Sequence, residues 1–95
     1  MSKVVFTSFP STTNWVNGRH IDGYWFEAKL FDTGSIFGIN EGRVSKLNIR
    51  EESTKKCIAH YDRGWDFEPE AENDKQIFND ILDFLEASPE RFSEE

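Results

Sequence analysis

The stretch from Asp74 to Ala87 constrains the fold more than any other part of the sequence. Its apolar residues are Ile77, Phe78, Ile81, Leu82, Phe84 and Leu85. At about 100° per residue they fill an arc of roughly 160° on one side of a helix. Asp80, Asp83 and Glu86 fall on the opposite side. Asn73 suits the N-cap, with Gln76 three residues on as a partial capping box. Ser88-Pro89 ends the helix, and residues 88–95 read as a flexible tail. A lone helix with so wide an apolar face needs a second layer to cover it.

The rest of the chain supplies that layer as strands. Residues 3–9 are β-branched and aromatic and stop at Pro10. Residues 23–32 alternate, with Tyr24, Phe26, Ala28 and Leu30 on one face and Trp25, Glu27, Lys29 and Phe31 on the other. Residues 44–50 alternate in the same way around Ser45, Leu47 and Ile49. Residues 55–62 place Cys57, Ala59 and Tyr61 against Ile58, His60 and Asp62, and Ile36–Ile39 reads as a short fifth strand. Asn17-Gly18, Asp22-Gly23, Thr33-Gly34 and Glu41-Gly42 punctuate these runs at spacings too short for crossover helices, so the strands are antiparallel neighbours. Residues 10–22 read as a polar loop with a small hairpin at Asn17-Gly18. The expected fold is α+β. It is one domain over residues 1–95, an antiparallel meander of four to five strands with the C-terminal helix on one face. Residues 1–22 form its variable N-terminal part.

Composition narrows the function. Fourteen aromatics, nine Phe, three Trp and two Tyr, exclude a disordered chain. A net charge of −7 excludes a generic basic nucleic-acid binder. The single Cys57 excludes an internal disulfide framework, and two histidines are too few for a thiolate–imidazole zinc site. No metal or other cofactor is expected. No run approaches the roughly 20 apolar residues of a membrane span. Nothing resembles a signal peptide either, because Thr7 and Ser8 break the apolar run behind Lys3. The expected location is cytoplasmic, without membrane contact.

Few residues offer chemistry. Asp32-Thr33-Gly34-Ser35 resembles the active-site tetrapeptide of retroviral-type aspartic proteases, in which two aspartates of a dimer share one proton. That resemblance implies a dimeric protease using Asp32, Thr33 and Gly34. The family also needs a late apolar-apolar-Gly strand, and residues 73–87 have a helical pattern instead. Asp-Thr-Gly-Ser is ordinary turn composition, and the stretch reads as a hairpin turn. His60, Asp62, His20, Asp22 and Asp66 have no metal-ligand spacing and read as polar strand and loop positions. Cys57 reads as a small core residue rather than a nucleophile. Tyr61-Asp62-Arg63-Gly64-Trp65-Asp66-Phe67 reads as a strand exit whose Trp65 and Phe67 close the core. The alternative is a recognition corner at Arg63 and Trp65. No catalytic residue is assigned.

Residues 24–47, YWFEAKLFDTGSIFGINEGRVSKL, followed by IAHYDRGWDFEPE at 58–70, resemble a family of small uncharacterised proteins of Gram-positive bacteria and their phages. The resemblance spans most of residues 23–85. It implies a small protein of phage or prophage origin and supplies no site.

Charge layout is the remaining clue. Residues 1–65 hold nine Lys/Arg and seven Asp/Glu, or +2. Residues 66–95 hold two and eleven, or −9. Glu68, Glu70, Glu72, Asp80, Asp83 and Glu86 form an acidic ridge. Lys29, Lys46, Arg50 and Lys56 lie on the sheet face that also shows Trp25 and Phe31. The expected role is a non-catalytic protein-interaction module whose ridge docks on a basic protein. The secondary surface is Trp25, Phe31, Arg63 and Trp65, which would serve a homodimer or weak single-stranded nucleic-acid binding, although the net charge disfavours nucleic acid.

Overall fold

The computed structural model describes residues 3–8, 15–31 and 33–88. Residues 1–2, 9–14, 32 and 89–95 lie outside the described residues, and with them part of the expected 10–22 loop and most of the expected 88–95 tail. Six strands run in chain order through one antiparallel sheet: β1 (Val4–Ser8), β2 (Trp15–His20), β3 (Tyr24–Leu30), β4 (Val44–Glu51), β5 (Cys57–Asp62) and β6 (Trp65–Phe67). Helix α1 (Glu72–Glu86) follows and packs on one face. The architecture is the expected α+β meander with a C-terminal helix, but the sheet has six strands rather than four or five.

The differences have physical causes. Asn17-Gly18 is not a turn but the middle of β2. A β-carbon on Gly18 would lie 2.4 Å from the Phe26 ring and 2.4 Å from the Val5 carbonyl oxygen. Gly18 is therefore a packing glycine that lets Phe26 lie flat across the strand. Ile36–Ile39 is not a strand. Residues 36–38 turn and Ile39–Glu41 form a single 3-10 turn. Asn40 and Glu41 both adopt positive φ, 54° and 60°, which extended backbone cannot accommodate.

The core lies between α1 and the inner sheet face. Ile77, Ile81, Leu82 and Leu85 are buried against Phe26, Leu30, Leu47, Ile49 and Ala59. Phe78 and Phe84 flank this seam half-buried. Phe84 meets Phe6 at 4.9 Å between ring centroids. The residue at the N-cap is Ala71, not Asn73. Asn73 instead donates from Nδ2 to the Tyr24 hydroxyl at 3.1 Å, tying the start of the helix to β3.

Irregular register decides several side-chain directions. Ile49 pairs with Ala59 but Arg50 with Cys57, so Ile58 is an extra residue in β5. This bulge turns Ile58 inward and Cys57 outward, contrary to the alternation expected from sequence. Tyr61 pairs with Trp65 but His60 with Phe67, so Asp66 is extra in turn. Trp65 therefore packs inward on Tyr61 (5.1 Å) and Phe78 (5.4 Å), while Phe67 lies outside, 45 % exposed. Trp65 closes the core as expected, and Phe67 does not.

Candidate functional site

The outer sheet face is set by the register. Across β2, β3, β4 and β5 one row reads Arg19, Trp25, Arg50, Cys57. The next reads Asn17, Glu27, Asn48, His60, ending at Phe67 on β6. The third reads Trp15, Lys29, Lys46, Asp62. Among the described residues no element covers this face. Its strand positions carry Arg19, Lys29, Lys46 and Arg50 against Glu27 and Asp62, four cations less two carboxylates, on a chain of net charge −7.

Trp25 lies in register between two arginines, Arg19 and Arg50. With Arg50, Glu51, Glu52 and Lys55 it lines an open cleft of about 580 Å³. Arg19 reaches Glu52 with two bonds, Nε to Oε2 at 2.6 Å and Nη2 to Oε1 at 2.9 Å. That fork holds the Glu52 carboxyl below its usual range. Cys57 faces Asn48 Oδ1 at 3.5 Å on the same surface.

Beyond the ends of β3 and β4 a second cleft opens, about 480 Å³, lined by Lys29, Phe31, Ser45, Lys46, Arg63 and Phe37 among others. Phe31 is exposed at its rim and lies beneath the Lys29 ammonium, 5.6 Å from Nζ to the ring centroid. Thr33 and Gly34 of the protease-like tetrapeptide also line this cleft. Asp32 is outside the described residues. Residues 72–86, where the protease architecture requires a strand, are helical.

The acidic ridge is divided. Glu68, Glu70, Glu72 and Asp83 are exposed. Asp80 is turned toward the sheet, where its Oδ2 lies 2.8 Å from Nε2 of the fully buried His20. Its Oδ1 accepts from Gln76 at 2.9 Å. Burial pushes the Asp80 pKa up, but hydrogen bonds from His20 and Gln76, with the nearby Lys3 charge, outweigh it and hold the carboxyl below its usual range. Glu86 is also engaged: its Oε2 accepts from the Arg43 backbone N–H at 2.8 Å, and it lies so close to Gly42 that a β-carbon there would meet Oε2 at 2.2 Å. The Arg43 guanidinium in turn donates to the carbonyls of Glu86 and Ser88 at the helix C-terminus.

Neither Asp80–His20 nor Arg43–Glu86 was legible from sequence spacing, because each spans more than forty residues. The buried His20 was the one available signal, since a histidine on an inward strand position needs a partner. The two histidines lie on opposite faces. His60 is outward, with Nδ1 3.0 Å from Asp66 Oδ2. Among the described residues no three potential ligands converge on a metal position. No described helix is long and apolar enough to cross a membrane.

Neither a curated protein nor a solved structure matches the chain. The profile of a domain of unknown function, DUF7678, matches residues 14–86, from just before β2 to the end of α1. The matched span thus begins nine residues ahead of position 23, where the resemblance read from the sequence starts, and it takes in β2. The unit it delimits is the sheet from β2 onward together with its helix, and the chain belongs to the DUF7678 family.

Proposed function

We propose that this protein is a non-catalytic interaction module whose uncovered sheet face docks an acidic segment of another protein. The observation that carries the reading is the outer face itself: Trp15, Trp25 and Phe67 set among Arg19, Lys29, Lys46 and Arg50, with Glu27, Asp62 and the Arg19-bound Glu52, and no covering element among the described residues. Aromatic and arginine side chains supply most of the energy at protein interfaces. The net-positive face complements an acidic partner, and the acidic helix behind it orients the approach. Glu27, between Asn17 and Asn48 at the centre of the face, suits a peptide better than a continuous phosphate backbone. The phage or prophage origin implied by the sequence resemblance fits a small binder of this kind.

The four exposed ridge carboxylates, Glu68, Glu70, Glu72 and Asp83, support a second reading in which a basic protein docks on the helix. Capture experiments on three forms separate the two: wild type, a face variant (Trp25→Ala with Arg50→Glu) and a ridge variant (Glu68, Glu70 and Asp83 to Lys). Under the sheet-face reading, partners held by the wild type at low salt are lost by the face variant and kept by the ridge variant. Capture should also weaken with salt, because exposed charges are screened over about 8 Å at physiological ionic strength. Loss with the ridge variant alone would move the binding surface to the helix. Self-capture of the wild type would make a second copy the occupant.

A further inference from the structure

We propose that the cleft framed by Lys29, Lys46 and Arg63 beyond the ends of β3 and β4 binds a phosphate ester carried on a planar ring. Lys29 and Lys46 are directly opposed cross-strand partners on the outer face. Like charges so placed repel. Among the described residues the carboxylate beside them is Asp62, with Oδ1 3.6 Å from Lys46 Nζ and 3.6 Å from Arg63 Nε. One negative charge shared between two cations, with Lys29 outside that pairing, leaves these four described residues two charges positive.

Arg63 occupies its place at a conformational cost. Its φ is +57°, a region where glycine is favoured, and it is followed by Gly64, which has open space around it. Its N–H is fixed to the Ser45 carbonyl at 2.9 Å, and the residue lines the cleft. Ser45 is the extra residue where Lys29 pairs with Lys46 but Leu30 with Val44. It lines the cleft and is only 6 % exposed, and its hydroxyl has no hydrogen-bond partner among the described residues. A buried hydroxyl without a partner is rare and marks a place for a ligand or water. Phe31 and Phe37, 36 % and 54 % exposed, supply an apolar wall beside the charges. Phe37 is held there by its carbonyl, which accepts from the Tyr61 hydroxyl at 3.0 Å. Three cations and a free hydroxyl suit the oxygens of a phosphate better than a carboxylate, which has fewer acceptors. The exposed rings suit a planar body attached to it. The volume, about 480 Å³, is that of a small-molecule site.

The site shares Lys29 and Lys46 with the outer sheet face, but its test reads small-molecule binding rather than capture of a protein, so a negative result here leaves the capture experiments untouched. The test is amide chemical-shift titration of the full chain with phenyl phosphate, phenol and inorganic phosphate, then with adenosine 5′-monophosphate and phosphotyrosine to distinguish nucleotide from aryl sources. Phenyl phosphate should bind about tenfold more tightly than phenol and inorganic phosphate. The shifts should centre on Thr33–Ser35, Ser45 and Arg63. Lys29→Gln and Arg63→Gly should each weaken it about tenfold. Arg63→Gly suits the backbone at that position, so its urea midpoint should hold or rise, which separates loss of binding from loss of fold. Absence of shifts with every phosphate ester at about 5 mM overturns the proposal, as does binding that both variants leave unchanged.

Discussion

His20 is the most demanding single residue. Its ring is fully buried, and both ring nitrogens are satisfied. Nδ1 accepts from the Asp22 backbone N–H at 3.1 Å, so Nε2 carries the hydrogen donated to Asp80. The Tyr24 ring stands edge-on beside it at 6.4 Å. Asp80→Ala would strand a buried donor, and we expect a loss of about 1–3 kcal/mol by urea denaturation. Because the folded-state pKa of Asp80 is depressed, the stability it contributes is present above the ordinary carboxylate range and lost as pH falls through the folded value. Stability measured from about pH 6 to pH 2 should therefore fall less steeply in Asp80→Ala than in the wild type. An equal slope in both would remove the pair from the acid response. Gly18 is a second such position. A methyl group there meets the Phe26 ring and the Val5 carbonyl oxygen, and the latter is backbone that cannot swing aside. Gly18→Ala should cost about 1–3 kcal/mol. A neutral outcome in thermal denaturation would show that β1 and β2 separate readily.

At the scale of elements, helix α1 is what closes the inner face of the sheet. Ile81 is fully buried at the centre of its seam, and Ile81→Ala should cost about 2–4 kcal/mol by lost burial and a cavity. In a domain this small that is a large share of the total, and a loss below about 0.5 kcal/mol would mean the helix does not cover the core. This helix was legible because a 3.6-residue period sustained over four turns fits no strand. β3, and β4 from Ser45 to Arg50, were legible because alternation persists along them. What the sequence hid are the bulges. The extra residues Ile58 and Asp66 each shift the alternation by one, so Cys57 moved from the expected core face to the outer face and Phe67 left the core. A bulge depends on the partner strand, and period-2 reasoning on one strand cannot register it. β2 was hidden for another reason: Asn17-Gly18 has hairpin-turn composition, and only the distant Phe26 ring accounts for the glycine.

At the scale of the whole molecule, the six ridge carboxylates do not form one exposed surface. Two of the six ridge carboxylates, Asp80 and Glu86, hold α1 to β2 and to the segment before β4. Their role could not be seen in sequence, because the helical wheel places both opposite the apolar arc, whereas in three dimensions they reach past its edges. The remaining ridge is four exposed carboxylates. The outer sheet face gains from the same folding, since the bulges deliver Cys57 and Phe67 to it beside Trp25 and Arg50. Size also matters: one helix covers one side of six strands, and among the described residues the opposite side is left uncovered, which is the surface the proposed docking uses. The most direct measurement of that claim is amide chemical-shift mapping of the wild type against a captured partner. The account predicts perturbation along β2 to β5 around Arg19, Trp25, Asn48 and Arg50, with the outer turns of α1 unchanged. Perturbation confined to α1 and residues 68–72, with the sheet face silent, would contradict it.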